Sequence, residues 1–166
     1  MLINFCNVIF NVETDSIFLS SVLKKYLSEY IIDCKNNINP YNIILKESVS
    51  GVVFKPYKNI PLRTLNKFVR YQISFKHKSI VANFYNIKKY NIDFIFKQNI
   101  LYFIELVLAV NNIFYLHCSA VINNQNKLIL YTGKIKSGKT ESILTSNHFD
   151  KYRIFTDDRF YINFNY

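Results

Sequence analysis

The stretch LYTGKIKSGKTES, Leu130 to Ser142, holds Gly133 and Gly138, two of the three glycines in a chain of 166 residues. It follows an apolar run, Leu128 to Thr132, that reads as a strand. It precedes Lys139 to Asn147, which reads as a short helix. Gly133 to Thr140 fits the spacing G-x-x-x-x-G-K-[ST] without exception. Such a loop turns backbone N–H groups inward around a phosphate chain, and glycine is needed where the anion comes close or φ is positive. The helix N-terminus favours the negative charge, the lysine reaches the β and γ oxygens, and the hydroxyl is a ligand for Mg2+. An ordinary glycine turn with exposed lysines is the plainer reading. The strand before the loop and the helix after it favour the phosphate cradle.

Working outward, Asp157-Asp158 stands at the end of a strand expected at Tyr152 to Thr156, with RFYINFNY as a further strand. In an open α/β sheet, ligand groups gather at the carboxyl ends of strands. If this strand runs parallel to Leu128–Thr132, the carboxylates reach the phosphate site. One can then hold Mg2+ and another can accept a proton. An isolated acidic pair is usually a solvated turn, but its place soon after the loop favours function. Upstream, the strand FYLHCSAVI carries His117 between Leu116 and Cys118, where a histidine by itself reads as a satisfied core residue. His77 and His148 read as surface residues.

Together, LHCSAVINNQNKLILYTGKIKSGKTES and RIFTDDRF, within Leu116 to Phe160, resemble the HPr kinase/phosphorylase family, which shares a phosphoenolpyruvate-carboxykinase-like nucleotide-binding fold. The resemblance implies an α/β protein with an α+β N-terminal lobe, residues 1–97. A P-loop domain with a mixed sheet follows at 98–166. It implies that Gly133, Lys134, Ile135, Lys136, Ser137, Gly138, Lys139 and Thr140 cradle the phosphates of ATP. Thr140 and Asp158 would hold Mg2+, Asp157 would be the base, and His117 would lie near the phosphoryl group. Glu141 matches the G-K-S-E form of the loop. The implied reaction is Mg-ATP-dependent phosphoryl transfer to a Ser/Thr hydroxyl of a protein or peptide. The alternative is a non-catalytic or truncated module that binds ATP without transferring phosphate. Two departures stand out. Lys134 occupies a position that is usually acidic in the bifunctional members. The family's domain also continues past the Asp-Asp strand, whereas Tyr166 ends this sequence inside an apolar run. A short form, or one completed by a partner, is therefore expected, and oligomerisation stays open.

Composition sets the frame. Half of the residues are hydrophobic and 17% are aromatic, enough to build a sizeable core. The net charge is +10, yet lysine far outnumbers arginine, which occurs only at 63, 70, 153 and 159. Abundant Lys, Asn, Ile, Tyr and Phe together fit A/T-rich coding, and arginine is the residue suited to bidentate recognition of bases. The basic clusters, such as Lys76-His77-Lys78, are short and dispersed and read as solvated surface, against a nucleic-acid partner. Cys6, Cys34 and Cys118 have no zinc-like spacing and suit a reducing, cytoplasmic compartment. The N-terminus lacks the features of a signal peptide. Ile100 to Leu116 is the most apolar run, but Glu105, Asn111 and Asn112 interrupt it. It falls short of the roughly 20 residues a membrane span needs, so no membrane association is expected.

The first lobe should begin with a strand from Leu2 to Val12 and a helix from Phe18 to Ile32, capped by Asp15 or Ser16. A turn at NNINPYN and strands at Ile43–Glu47 and Gly51–Pro56 follow. A hairpin then has arms Phe68–Phe75 and Ser79–Asn86 joined at Lys76–Lys78. A long helix from Gln98 to Val110 leads to the strand of His117.

Overall fold

The computed structural model describes residues 1–33, 39–48, 53–134, 137–147 and 152–164. They form a mixed α/β protein of two compact units, Met1–Leu108 and Ala109–Tyr166.

In the first unit, Leu2–Phe5 (β1) and Val8–Thr14 (β2) form a hairpin where one strand was expected. Cys6 and Asn7 take φ of 52° and 64°, the left-handed pair whose twist suits a two-residue hairpin turn. Ile17–Leu27 (α1) crosses over to Tyr41–Ser48 (β3), which lies parallel to β2. Ser16 is the cap, its Oγ accepting from the Leu19 backbone N–H at 3.2 Å. Leu19, Val22, Leu23 and Leu27 form the buried stripe. The helix stops short of Ile32, giving way to a 3-10 turn at Ser28–Tyr30. Arg63–Asn66 (β4), Val69–Ser74 (β5) and Ser79–Tyr85 (β6) complete a six-stranded sheet in the order β1-β2-β3-β6-β5-β4. Strands β3 and β6 are parallel, and the remaining pairs, β6–β5 and β5–β4, are antiparallel, as the expected hairpin requires.

Each face of this sheet is covered differently. Leu45, Ala82 and Tyr71 lie in one row, and the Tyr71 ring sits 5.3 Å from that of Phe103. Phe103 belongs to Leu101–Val110 (α3), the end of a helical arm that begins with Ile92–Ile95 (α2), earlier than the expected Gln98. Asn91 caps the arm, its side chain accepting from the Asp93 N–H. Between α2 and α3, the π-turn Phe96–Ile100 brings Asn99 inside. Its amide donates to the Phe94 and Ile95 carbonyls and accepts from Asn66 Nδ2 at 2.7 Å, so the buried polar group is satisfied.

On the other face, buried Gln72 and Asn83 hold an irregular strap, 53–62. Gln72 Nε2 donates to the Tyr57 and Ile60 carbonyls, while Asn83 bonds both the N–H and the carbonyl of Phe54. The strand expected at Gly51–Pro56 is therefore absent over 53–56. The Phe54 backbone groups are taken by a side-chain amide, and Pro56 has no N–H to donate. Residues 51 and 52 of that expectation, residues 36–38 of the expected turn and Cys34 lie outside the described residues. Among the described residues, no helix is long and apolar enough to cross a membrane.

Tyr102 on α3 carries a testable consequence. Its hydroxyl lies 3.4 Å from that of Tyr71. That hydrogen bond, then burial, then the charge Tyr71 would acquire push its pKa from 10.0 up to about 12, against an opposing pull from Arg63. The folded state thus retains a proton that the unfolded chain loses first. Stability from this pair is complete below about pH 10 and falls as pH rises towards about 12. Urea unfolding across that window should show a shallower decline for Tyr102→Phe than for the unaltered chain. Parallel declines would remove the pair from the account.

The second unit begins with Ile113–Asn123 (β7) and Leu128–Thr132 (β8), an antiparallel pair joined at a turn where the Asn123 side chain accepts from the Gln125 and Lys127 N–H groups. Lys139–Asn147 (α4) and Tyr152–Asn163 (β9) follow, giving a sheet in the order β8-β7-β9. Where two short strands were expected after α4, the structure has one strand of 12 residues. Strand β7 is long enough to pair with it from Ile113↔Asn163 to Asn123↔Tyr152. The register shifts once, between Ala120↔Thr156 and Val121↔Ile154, which makes Phe155 the extra residue of a bulge.

Candidate functional site

The loop between β8 and α4 forms the centre of the site. Elsewhere among the described residues, positive φ falls mostly on asparagine, at Asn7, Asn86, Asn112 and Asn126, with Cys6 and Lys78 the exceptions. The two loop glycines meet different demands. A Cβ on Gly133 would fall 2.6 Å from Ser137 Oγ, so the absent side chain lets the loop close on itself. Gly138 takes φ +81° at the entrance to α4, where its freedom from Cβ strain allows the chain to turn into the helix.

Around that turn the backbone is well organised. Ser137 N–H donates to the Lys134 carbonyl at 3.1 Å, and Ser142 N–H donates to the Gly138 carbonyl at 2.8 Å. Lys139 is folded back over the loop, its Nζ donating to the carbonyls of both Gly133 and Lys134 at 3.0 Å. An ammonium is thereby held at the mouth of the loop. Thr140 follows in the first turn of α4 with its side chain exposed, and Glu141 is exposed beside it. Helix α4 packs across β7, β8 and β9, anchored by Ile143, which is 1% exposed. That packing fixes the helix N-terminus at the carboxyl end of β8.

Register places the remaining candidates. Cys118 pairs with Thr132 of β8 on one side and Asp158 of β9 on the other, and Ser119 likewise pairs with Tyr131 and Asp157. Both outer strands are antiparallel to β7, so β8 and β9 run parallel to each other, the condition required for the acidic pair to reach the loop. They are not neighbours. Strand β7 separates them, putting the Asp157-Asp158 backbone about 10 Å from the end of β8, two strand spacings across the sheet. The pair also lies within β9, two residues beyond the bulge, and not at a strand end as expected. The acids nonetheless fall at the level where β8 gives way to the loop, because β9 continues past that level while β8 stops. For Asp157 and Asp158 it is strand position and register that the structure describes. Ile135, Lys136 and His148 lie outside the described residues.

His117 is exposed, which overturns the core-histidine reading. It sits one residue beyond the Cys118↔Thr132 pair, on the loop side, and pairs in register with Arg159. Burial along β7 accounts for this: Cys118, Ser119, Ala120 and Val121 are all buried, and the strand emerges from the core at His117. No protein-family model matches the chain, and neither the characterised proteins nor the solved structures provide a match. The functional argument therefore rests on the loop and the strands around it.

Sequence reasoning missed one neighbour of the site. Cys118, first read only for its redox compartment, is fully buried in the strand row that joins Thr132 to Asp158. Burial pushes its thiol pKa up, while the Lys139 charge pulls it partly back. The thiol therefore stays protonated at neutral pH, as a packing group beneath the lysine. Its position within an apolar strand was visible in the sequence, but the strand pairing that puts it there was not.

Proposed function

We propose that the second unit binds ATP through the loop Gly133–Thr140 and transfers the γ-phosphoryl group to a Ser/Thr hydroxyl of a protein or peptide, as an HPr-kinase-like phosphotransferase. The observation that supports this most directly is the Lys139 ammonium held on the Gly133 and Lys134 carbonyls, between a close-turning Gly133 and a left-handed Gly138. A phosphate chain suits this cradle. It brings oxygens that exchange with two neutral carbonyls as partners of Lys139, and it lies at the N-terminus of a nine-residue helix.

Each residue then has a role. Gly133 and Gly138 let backbone N–H groups approach the phosphates, and Lys134 and Ser137 line the same turn. Lys139 neutralises charge on the transferring group. Thr140 and Asp158 would hold Mg2+, which when bound supplies further neutralisation of the phosphate oxygens. Asp157 accepts the proton of the acceptor hydroxyl as its oxygen bonds to the γ-phosphorus and the bond to the β-phosphate oxygen breaks, releasing ADP. His117, exposed on the loop side of the sheet, is placed to orient the acceptor or the γ-phosphoryl group.

Incubation with γ-labelled ATP and Ser- or Thr-containing acceptors tests this proposal. Label on phosphoserine or phosphothreonine supports transfer. Saturable ATP binding with no transfer in any acceptor reduces the reading to a nucleotide-holding module, for which Lys134, in place of an acidic residue, is the motivating feature.

A further inference from the structure

Between Ser48 and Ile92 the sequence carries nine lysines and arginines and no aspartate or glutamate, against a net charge of +10 for all 166 residues. As a string these cations look dispersed. The fold gathers many of them, because Gln72 and Asn83 hold the strap over the sheet face beside the β5–β6 hairpin. Aromatic rings lie between the charges. Phe54 on the strap is 47% exposed and has the Lys46 ammonium 6.0 Å from its centroid. Tyr57 stacks on His77 at the hairpin tip, with centroids 5.2 Å apart and planes 6° from parallel. Phe75, at the same tip, is 51% exposed. Arg70 lies 5.9 Å from the Tyr85 ring.

We propose that this face of the first unit, the strap Phe54–Lys58 with the hairpin tip Phe75–Lys78, binds single-stranded nucleic acid. The chemistry is that of a stacking platform with an electrostatic guide. Exposed rings offer faces to unpaired bases, and lysines track the phosphates without reading sequence. The scarcity of arginine argues against base-edge readout, not against this mode, which needs point charges and ring faces. An acidic polypeptide would satisfy the lysines but would leave Phe54 and Phe75 without a role. The Gln72 and Asn83 side chains fix the strap backbone, so the rings are presented on a preformed surface. The proposal is independent of the phosphate loop.

The test is fluorescence anisotropy of a labelled oligothymidylate with the full chain at several salt concentrations. Binding should weaken as salt rises. Phe54→Ala should lower affinity about tenfold, the scale of one lost base stack. Lys58→Glu should lower affinity and also reduce the log–log salt slope by about 0.7, the value for one single-strand phosphate contact. Lys127→Glu, the same charge change in the β7–β8 turn, should have much the smaller effect. No binding at low salt would overturn the proposal. So would equal losses in Lys58→Glu and Lys127→Glu, or displacement of the oligonucleotide by polyglutamate as readily as by unlabelled oligothymidylate. Should Phe54→Ala fail to fold, the Lys58 and Lys127 pair decides alone, both positions being exposed.

Discussion

Lys139→Ala is expected to lower the affinity of the chain for MgATP by about a hundredfold or more, while leaving its thermal unfolding nearly unchanged. In the free protein, the Lys139 ammonium bonds the Gly133 and Lys134 carbonyls at the exposed mouth of the loop. Alanine leaves those carbonyls to water, so the folded state loses little. Bound nucleotide presents charged oxygens, and charge-assisted bonds to them contribute about 1.5–3 kcal/mol each. More than one such bond is lost together with a full positive charge. The comparison thus separates a ligand-binding lysine from a structural one. A lysine that merely pinned the loop would affect melting first and affinity little. Equal ATP affinity in the variant would remove the phosphate site from the account.

Asp157→Asn is expected to slow phosphoryl transfer by roughly 10²- to 10⁴-fold, the range for losing a positioned general base. MgATP affinity should stay within a few-fold, since the amide preserves shape and removes one negative charge near the phosphates. Asp158→Asn should act differently, raising the Mg2+ concentration needed for tight nucleotide binding. The two positions are distinguished by register, Asp157 opposite Ser119 and Asp158 opposite Cys118. Single-turnover transfer and equilibrium binding, measured on both variants, resolve the roles. If Asp157→Asn transferred at the unaltered rate, the proton acceptor would have to be sought elsewhere, with His117 the next exposed candidate. If Asp158→Asn bound nucleotide at the unaltered Mg2+ requirement, its metal role would fall.

The strand, glycine loop and helix that run from Leu128 to Asn147 were legible because their requirements are local. Glycine spacing, the lysine, the hydroxyl and the flanking strand and helix all lie within one short run, and α4 begins at Lys139 as expected. The hairpin Val69–Tyr85 was legible for the same reason, since alternating residues flank a basic turn. What the sequence concealed was pairing. Nothing local reveals that β7 lies between β8 and β9, or that β9 runs unbroken through Asp157 and Asp158 against a long partner. The Cys6-Asn7 turn was missed because neither residue is glycine, and the expected alternation ran straight through it. His117 seemed buried because its neighbours are apolar, whereas it lies where the strand leaves the core. The gathering of charge on the first unit depends on two amide side chains, Gln72 and Asn83, bonding a segment remote from them in sequence.

The central claim is that the loop Gly133–Thr140 holds a phosphate chain, and calorimetric titration of the unaltered protein with MgATP and separately with adenosine tests it most directly. The account predicts saturable binding of MgATP at one site per chain, with adenosine weaker by about a hundredfold or more because it offers nothing for Lys139 or the loop N–H groups to grip. No heat with MgATP, or adenosine binding as tightly as MgATP, would contradict it.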